Sequence, residues 1–362
     1  MATGIGVVVG SRNSSAAVAD DDCAADGSDC PTIRRRSILH LPPQGAPTLG
    51  ATPSERADAR TPRGVVLEGF AAHVGDPVGI RAADGSAHDG AELMATAIGC
   101  LVREVRGRRV AGRTVVAHPT AWSDGTVDSL REALSHTGYV EATLVSEAAA
   151  AMHWLSAARG PLGRNAVVVY DLGAASLDIS VLGEVAEPHG AGFPLLGPPI
   201  RSEDITGSRF DHLIMSSVLD QLGLDLDPYA PETEQALTGL RARCERAKEA
   251  LSADLDAAVT VELPGLRRDI RLVRADVEDL LRAPLRRSAD LIAEALDGAR
   301  LTRDDVSRVL LVGGGSAIPL ATEVIAAELG LPVAAAARPD SAVTHGAALL
   351  ARDLSQDRPA GT

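Results

Sequence analysis

In the middle of the chain an apolar run ends in an acid and a string of mostly small residues. Residues 165–182 read NAVVVYDLGAASLDISVL. Positions 166–170 are apolar, Asp171-Leu172-Gly173-Ala174-Ala175-Ser176 forms the break, and 177–182 alternates apolar with polar. The pattern predicts two strands joined by a tight turn. Small residues let a ligand approach the backbone, and successive exposed N–H groups make an anion nest. An acid at a strand end can hold magnesium, or its waters, beside a phosphate. An ordinary hairpin fits the turn equally well, so the surrounding elements must decide.

The first segment has the same shape. Residues 5–9, IGVVV, predict a buried strand, Gly10-Ser11-Arg12-Asn13-Ser14-Ser15 a polar turn, and 16–19 a returning strand. Apolar spacing then predicts a helix over 90–106, with Met94, Ile98, Leu101, Val102 and Val105 on one face. Further helices are expected at 124–137 behind the cap Ser123, and at 146–158, 206–223, 234–251, 274–296, 320–329 and 341–354. Strands are expected at 113–117, 142–145, 309–312 and 331–335, with a pair at 259–263 and 269–273 around Pro264-Gly265. Gly75-Asp76-Pro77 and Asp84-Gly85 predict turns bracketing a short strand pair. The acids of residues 20–30 lack the spacing of a calcium loop and read as solvated. Arg34-Arg35-Arg36 reads as a charged edge and 44–64 as loop, while Gly160-Pro161-Leu162-Gly163 breaks the chain between halves. Each half opens on a strand pair and then alternates helix and strand. Two similar α/β lobes around a ligand cleft follow.

The totals narrow the chemistry. A chain of 362 residues can build two or three cores. Aromatics are 2%, so those cores rest on Val, Leu, Ile and Ala. A net charge of -14 disfavours general nucleic-acid binding, because nothing offsets phosphate repulsion. Lys248 is the single lysine, so only one position offers an ammonium group. Of the 4 cysteines only Cys23 and Cys30 are near in sequence, and no zinc-ligand spacing appears. No stretch reaches membrane-spanning length, and a reducing cytoplasm is the expected compartment.

Several motifs then resemble, in collinear order, the nucleotide-binding part of the heat shock protein 70 (DnaK-type) chaperones of the actin-like ATPase superfamily. YDLGAASLDISVL resembles the second phosphate loop DLGGGTFDVSIL, and RARCERAKEALS (241–252) resembles the adenosine-facing ACERAKRTLSS. LLVGGGSAIPL (310–320) resembles the adenosine loop VGGSSRIP. VSEAAAAMHW resembles INEPTAAAIAYG, and RPDSAVTHGAALLA resembles NPDEAVAYGAAVQA. VVAHPTAWSDGTVDSLREAL resembles the connecting segment VTVPAYFNDSQRQATKDA, and Gly207 to Asp211 fall where the family has GGEDFD.

The resemblance implies an α/β, two-lobed actin-like ATPase fold, with duplicated ribonuclease-H-like lobes and a central nucleotide cleft. Lobe I would be residues 1–160. Lobe II would be 165–338, with a helical adenosine-side subdomain around 207–300. The final helix, 339–354, would pack back towards lobe I, and 355–362 would be a disordered tail. The family's peptide-binding domain is not expected in this chain. Asp171, also a water-mediated magnesium ligand, and Glu147 would be the catalytic acids. Gly10, Ser11, Arg12, Gly173, Ala174, Ala175, Ser176, Gly207, Glu245, Lys248, Ser252, Gly313, Gly314, Ser316 and Asp340 would bind ATP or ADP. Asp178 also retains the pattern.

Departures from the family are as informative. The first loop reads GVVVGSR where the family has GIDLGTT, so Val8 replaces an acid of the magnesium shell. GAAS replaces GGGT in the second loop. Lys248 belongs to the second lobe, so the family's first-lobe lysine has no counterpart. Ala317 and Glu249 replace arginines that would flank adenine. Losing one charge-stabilising group commonly costs about 100- to 1000-fold in rate, so weak or absent hydrolysis is expected. Arg12 either faces solvent or stands in for the lost cations. Glu245 and Lys248, helical neighbours, can pair. Ser252 either reaches the ribose or ends its helix. A nucleotide switch and a non-hydrolysing scaffold both remain open, with an unknown protein partner, and a sugar-kinase-like activity ranks behind them.

Overall fold

The computed structural model describes residues 2–24, 27–50, 64–107, 112–160, 162–163, 165–187, 190–223 and 230–356. Two five-stranded mixed sheets dominate it. The first contains β1 (Thr3–Val9), β2 (Asn13–Asp20), β3 (Thr32–Arg36), β4 (Arg113–His118) and β5 (Thr143–Ser146) in the order β5-β4-β1-β2-β3. The second contains β6 (Ala166–Leu172), β7 (Leu177–Leu182), β8 (Ile200–Ser202), β9 (Val306–Val312) and β10 (Val333–Ala335) in the order β8-β7-β6-β9-β10. In each sheet the opening strand pairs antiparallel with the next, which pairs antiparallel with a third, and lies parallel to the strand on its other side. The two sheets therefore share one topology, as the duplicated-lobe expectation requires.

The strands form where β-branched residues can be buried on both faces. In β6, Val167, Val168, Val169 and Tyr170 are all buried. Helix α1 (Gly90–Arg106) buries Met94, Ile98, Leu101, Val102 and Val105 in the first core, and Asp89 caps it by accepting from the N–H groups of Ala91 and Glu92. Helices α2 (Asp124–His136) and α3 (Glu147–Arg159) are capped by Ser123 and Ser146. In the second half come α4 (Gly207–Asp220), α5 (Pro231–Leu251), the hairpin Asp256–Leu263 with Leu266–Val273, α6 (Arg274–Gly298) and α7 (Pro319–Leu329).

The last helix, α8 (Ala342–Gln356), lies against β1, β2 and β4 of the first sheet and against α3. Its approach is close enough that β1 carries glycine at the contact. A Cβ on Gly4 or Gly6 would enter the backbone of α8, and one on Gly346 would enter the Ala150 carbonyl of α3. A third core joins the two sheets, with Val115 and Ala117 of β4, Val167 and Val169 of β6, and Ala150, Ala347 and Ala351 of the two helices.

Several expectations need correction. The first turn is only Gly10–Arg12, because β2 already begins at Asn13 and Gly10 N–H donates to the Asn13 carbonyl at 3.1 Å. Residues 355 and 356 belong to α8 rather than to a tail; residues 357–362 lie outside the described residues, as do Pro161 and most of the expected 44–64 loop. That loop contains the short strand Thr48–Leu49, which pairs with Ile38–Leu41, itself paired with Val65–Glu68. Strand β8 was not foreseen.

Candidate functional site

Three neighbouring strands line up the acidic floor. Asp171 of β6 stands opposite Asp178 of β7, which stands opposite Arg201 of β8. Arg201 donates to an Asp178 oxygen at 3.2 Å, and the Ser176 hydroxyl donates to the other at 2.7 Å. Glu147 joins them from the first turn of α3, held there by the Ser146 cap and by Ala148 N–H donating to Thr120 at 3.0 Å. Glu147 and Asp171 keep some solvent exposure but are otherwise enclosed by protein. Burial, then the Asp178 charge, pushes the Asp171 carboxyl up to about 7, with Arg201 acting the other way. Burial, then Asp171 and Asp178, raises Glu147 well above the ordinary glutamate range. Sequence reasoning missed Arg201. Its strand is three residues long and follows two prolines, leaving no periodic signal.

Gly313 packs over this floor. Its φ is +83, and a Cβ there would enter an Asp171 carboxylate oxygen and come within 2.6 Å of the Leu172 carbonyl. Gly314 is exposed, with open space where a Cβ would stand. Ser316 faces inward instead: it is buried, and its hydroxyl donates to the Val312 carbonyl at 2.6 Å.

The Gly173–Ser176 turn closes with Gly173 N–H donating to the Ser176 carbonyl at 2.8 Å. Helix α4 is fastened to it. The N–H groups of Gly207 and Ser208 donate to the carbonyls of Gly173 and Ala174 at 2.9 and 3.0 Å, and that of Arg209 donates to its cap Thr206. The first donors of α4 therefore already have protein acceptors. Behind the helix start, Lys248 of α5 donates to the Gly207 carbonyl at 3.0 Å and pairs with buried Asp211 at 2.7 Å. Lys248 thus pairs with Asp211, not with Glu245 as helical spacing suggested. Ser252 caps the C-terminus of α5, its hydroxyl directed at the Lys248 carbonyl at 3.4 Å.

Glu245 reaches across to the first lobe. Arg12 Nε donates to its Oε1 at 2.8 Å while an Arg12 terminal nitrogen bonds its Oε2, and Arg36 approaches Oε1 at 3.3 Å. Burial raises the Glu245 carboxyl, but Arg12 and then Arg36 and Lys248 outweigh it and hold the group below its usual range. Arg12 is therefore paired with Glu245, while its side chain stays 37% exposed and borders the cavity. The charged edge likewise proves to be three cross-links: Arg34 bonds Asp340 at 2.7 Å, Arg35 bonds Glu104, and Arg36 approaches Glu245.

The structure brings Ser11 and Arg12 together with Ala174, Ala175 and Ser208 around a cavity of about 390 Å³ that also touches Arg36 and Glu68. Gly10 lies just behind it, its carbonyl accepting from Ser37 at 2.6 Å. Asp340 is engaged by Arg34, and the carbonyl of the preceding residue, Pro339, accepts from Gly313 N–H at 3.0 Å. Val8 adds no carboxylate and packs against the core shared by the sheets.

The chain is similar to known proteins over most of its length. The family model described as Hsp70 protein matches residues 90–359. A chaperone protein HscA homolog of Burkholderia mallei is 31% identical over 252 residues, covering 68% of this chain and 38% of the relative. Homologs of the same description from Burkholderia pseudomallei and Burkholderia thailandensis match over the same shares. The chain thus spans well under half the length of these relatives. Val8 at the end of β1 and Arg12 in the first turn precede the span the family model matches. Two sheets of one topology, helices shared between them, and a family match over residues 90–359 of 362 lead to one conclusion: the chain belongs to the Hsp70 family.

Proposed function

We propose that this chain is an adenine-nucleotide-binding module of the Hsp70 kind, in which ATP or ADP lies between the lobes and hydrolysis is weak or lost. The observation that carries the proposal is the acidic group Asp171, Asp178 and Glu147 at the base of the small-residue turn, whose Ala174 and Ala175 line the cavity together with Ser11 and Arg12 of the first lobe. These carboxylates lie together with one cation, Arg201, among them, and burial first, then their mutual charge, raises Asp171 and Glu147. Such a donor set fits a divalent cation, which relieves the repulsion. Asp171 would hold magnesium through water, with Asp178 beside it; magnesium supplies positive charge to phosphate oxygens. Exposed Ala175 and half-exposed Ala174 leave the turn backbone accessible to a phosphate, and open Gly314 offers the adenine side a flat approach. Gly313 keeps Asp171 in place through its missing Cβ.

The same residues argue for poor hydrolysis. Phosphoryl transfer needs fixed charge around the γ-phosphate. Val8 offers none, and the single ammonium group is neutralised by Asp211 behind α4. Calorimetry with Mg-ATP and Mg-ADP, paired with single-turnover hydrolysis, tests the reading. Micromolar binding with turnover far below that of an intact Hsp70 ATPase is expected, and Asp171→Asn should remove the magnesium dependence. Absence of both heat and thermal shift would overturn it.

A second reading is a scaffold that has lost nucleotide altogether. Its support is the Arg12–Glu245–Arg36 cluster, which joins the lobes through the protein's own charges. Client handling and protein partners belong to the whole family architecture and are proposed only insofar as a nucleotide-driven lobe movement reaches a partner.

A further inference from the structure

The loop between β2 and β3 gathers two sulfurs and a carboxylate. Cys23 Sγ, Cys30 Sγ and an Asp29 oxygen all lie within 4.8 Å of one another. The loop is folded to bring them there. Asp20 accepts from the N–H groups of Asp22 and Cys23 at 3.1 Å each, Ala24 N–H donates to Asp29 at 2.7 Å, and Cys30 N–H donates to the Gly27 carbonyl at 3.1 Å. Cys30 is 6% exposed, packed with Ala17 and Ala19 of β2 and with Ala348 and Leu349 of α8. Asp29 is exposed and Cys23 half-exposed, so the group opens to solvent on one side.

We propose that Cys23, Cys30 and Asp29 form a binding site for a soft divalent cation of the zinc class, with a solvent molecule as fourth ligand. Two sulfurs and one oxygen are a donor set for zinc rather than for calcium or magnesium, which take oxygen alone. Ligand atoms around one tetrahedral zinc stand about 3 to 4 Å apart, so a contraction of at most about 2 Å completes the site. A disulfide would need the sulfurs at about 2 Å and would give Asp29 no role. The neighbourhood is also electrically suited. Asp20, whose carboxylate accepts from Cys23 N–H at 3.1 Å, and Asp29 add negative charge beside the sulfurs. A dication offsets that charge, and binding releases the thiol protons to the buffer.

The site has a structural consequence beyond binding. The same loop and the strand ends that flank it meet α8 at three further points. Asp21 accepts from Gln356 at 3.2 Å, Arg352 donates to the Asp20 carbonyl at 3.5 Å, and Thr32 meets His345 at 3.0 Å. A bound cation stiffens the loop on which the last helix rests, so it stabilises the closure of the first lobe.

The test uses the full chain, reduced and free of metal, titrated with zinc against a chromophoric chelator and with cobalt as a spectroscopic probe. One cation per chain, a thiolate-to-cobalt charge-transfer band and a rise in melting temperature with zinc are expected. Cys23→Ser should abolish the band, Asp29→Asn should weaken zinc by at least about tenfold, and Cys100→Ser should leave both unchanged. Asp29 is exposed, so its variant reports even if a buried-cysteine variant fails to fold. No band, a zinc affinity indifferent to both Cys23→Ser and Asp29→Asn, or a reduced chain that only oxidises to a Cys23–Cys30 disulfide without taking up metal would each overturn the proposal.

Discussion

Lys248 and Asp211 are the residues whose loss should be felt most. Their side chains are 11% and 7% exposed and 2.7 Å apart. Removing one partner leaves a buried charge uncompensated, which costs about 3 to 5 kcal/mol, whereas replacing both by apolar groups can be near neutral. Lys248→Met should therefore lower the urea midpoint sharply, and Lys248→Met with Asp211→Leu should recover most of it. If the double variant is as unstable as the single, the pair is not the cause. Gly313 makes a different prediction. Gly313→Ala adds strain at φ +83 and displaces the Asp171 carboxylate, so stability should fall by about 1 to 3 kcal/mol and Mg-nucleotide binding with it. A Gly313→Ala protein that binds Mg-ADP like the wild type would break the link between that glycine and the acidic floor. Asp171, Asp178, Glu147 and Lys248 were visible in the sequence through their motifs, but the ion pairs Lys248–Asp211 and Arg12–Glu245 were not. Asp211 lies 37 positions before Lys248, and Glu245 lies 233 positions after Arg12. Pairings of that range depend on chain topology, which local pattern does not contain.

At the scale of elements, α3 carries a pH-dependent contribution. His153 packs edge-on against Phe193 with ring centres 4.9 Å apart, and burial pushes its pKa down from 6.5 to about 4. The imidazole is therefore neutral in the folded chain and takes up a proton on unfolding as pH falls below 6.5. Its contribution is whole above that value and lost progressively towards 4, about 3 kcal/mol in all. His153→Gln should flatten the acid limb of a stability-against-pH curve; an unchanged slope between those values would assign the acid sensitivity elsewhere. The close crossing of α3 and α8 predicts that Gly346→Val costs about 1 to 3 kcal/mol or more, read by denaturant unfolding, because the helices must separate. Elements with a strong period were legible: α1 spans the residues 90–106 that its apolar stripe predicted. The alternation of Leu177 to Leu182 likewise announced β7. Strand β8 and the pairing of Ile38–Leu41 with Val65–Glu68 were not legible, since so few residues show no period and their partners are distant.

For the whole molecule, the Arg12–Glu245–Arg36 cluster holds the lobes together across the cleft. Arg12→Ala leaves Arg36 alone at 3.3 Å, so the chain should spend more time open. Small-angle scattering should then report a larger radius of gyration at low salt, and the wild type should approach the variant as salt rises. Because Glu245 is held below its usual range when bridged, the closed form should persist above the ordinary glutamate range and loosen as pH falls through the lowered value. Equal radii for wild type and variant at low salt would remove the bridge from the control of closure.

The resting of α8 on β1 bears on how the chain is made. Synthesis releases the N-terminal half first, yet Gly4 and Gly6 are shaped to receive a helix made of the residues from 342 onward. On the ribosome that bare face of valine and glycine must wait, uncovered, until residues 342–356 have been made. A member of a chaperone family would thus begin its own life as a polypeptide in need of one.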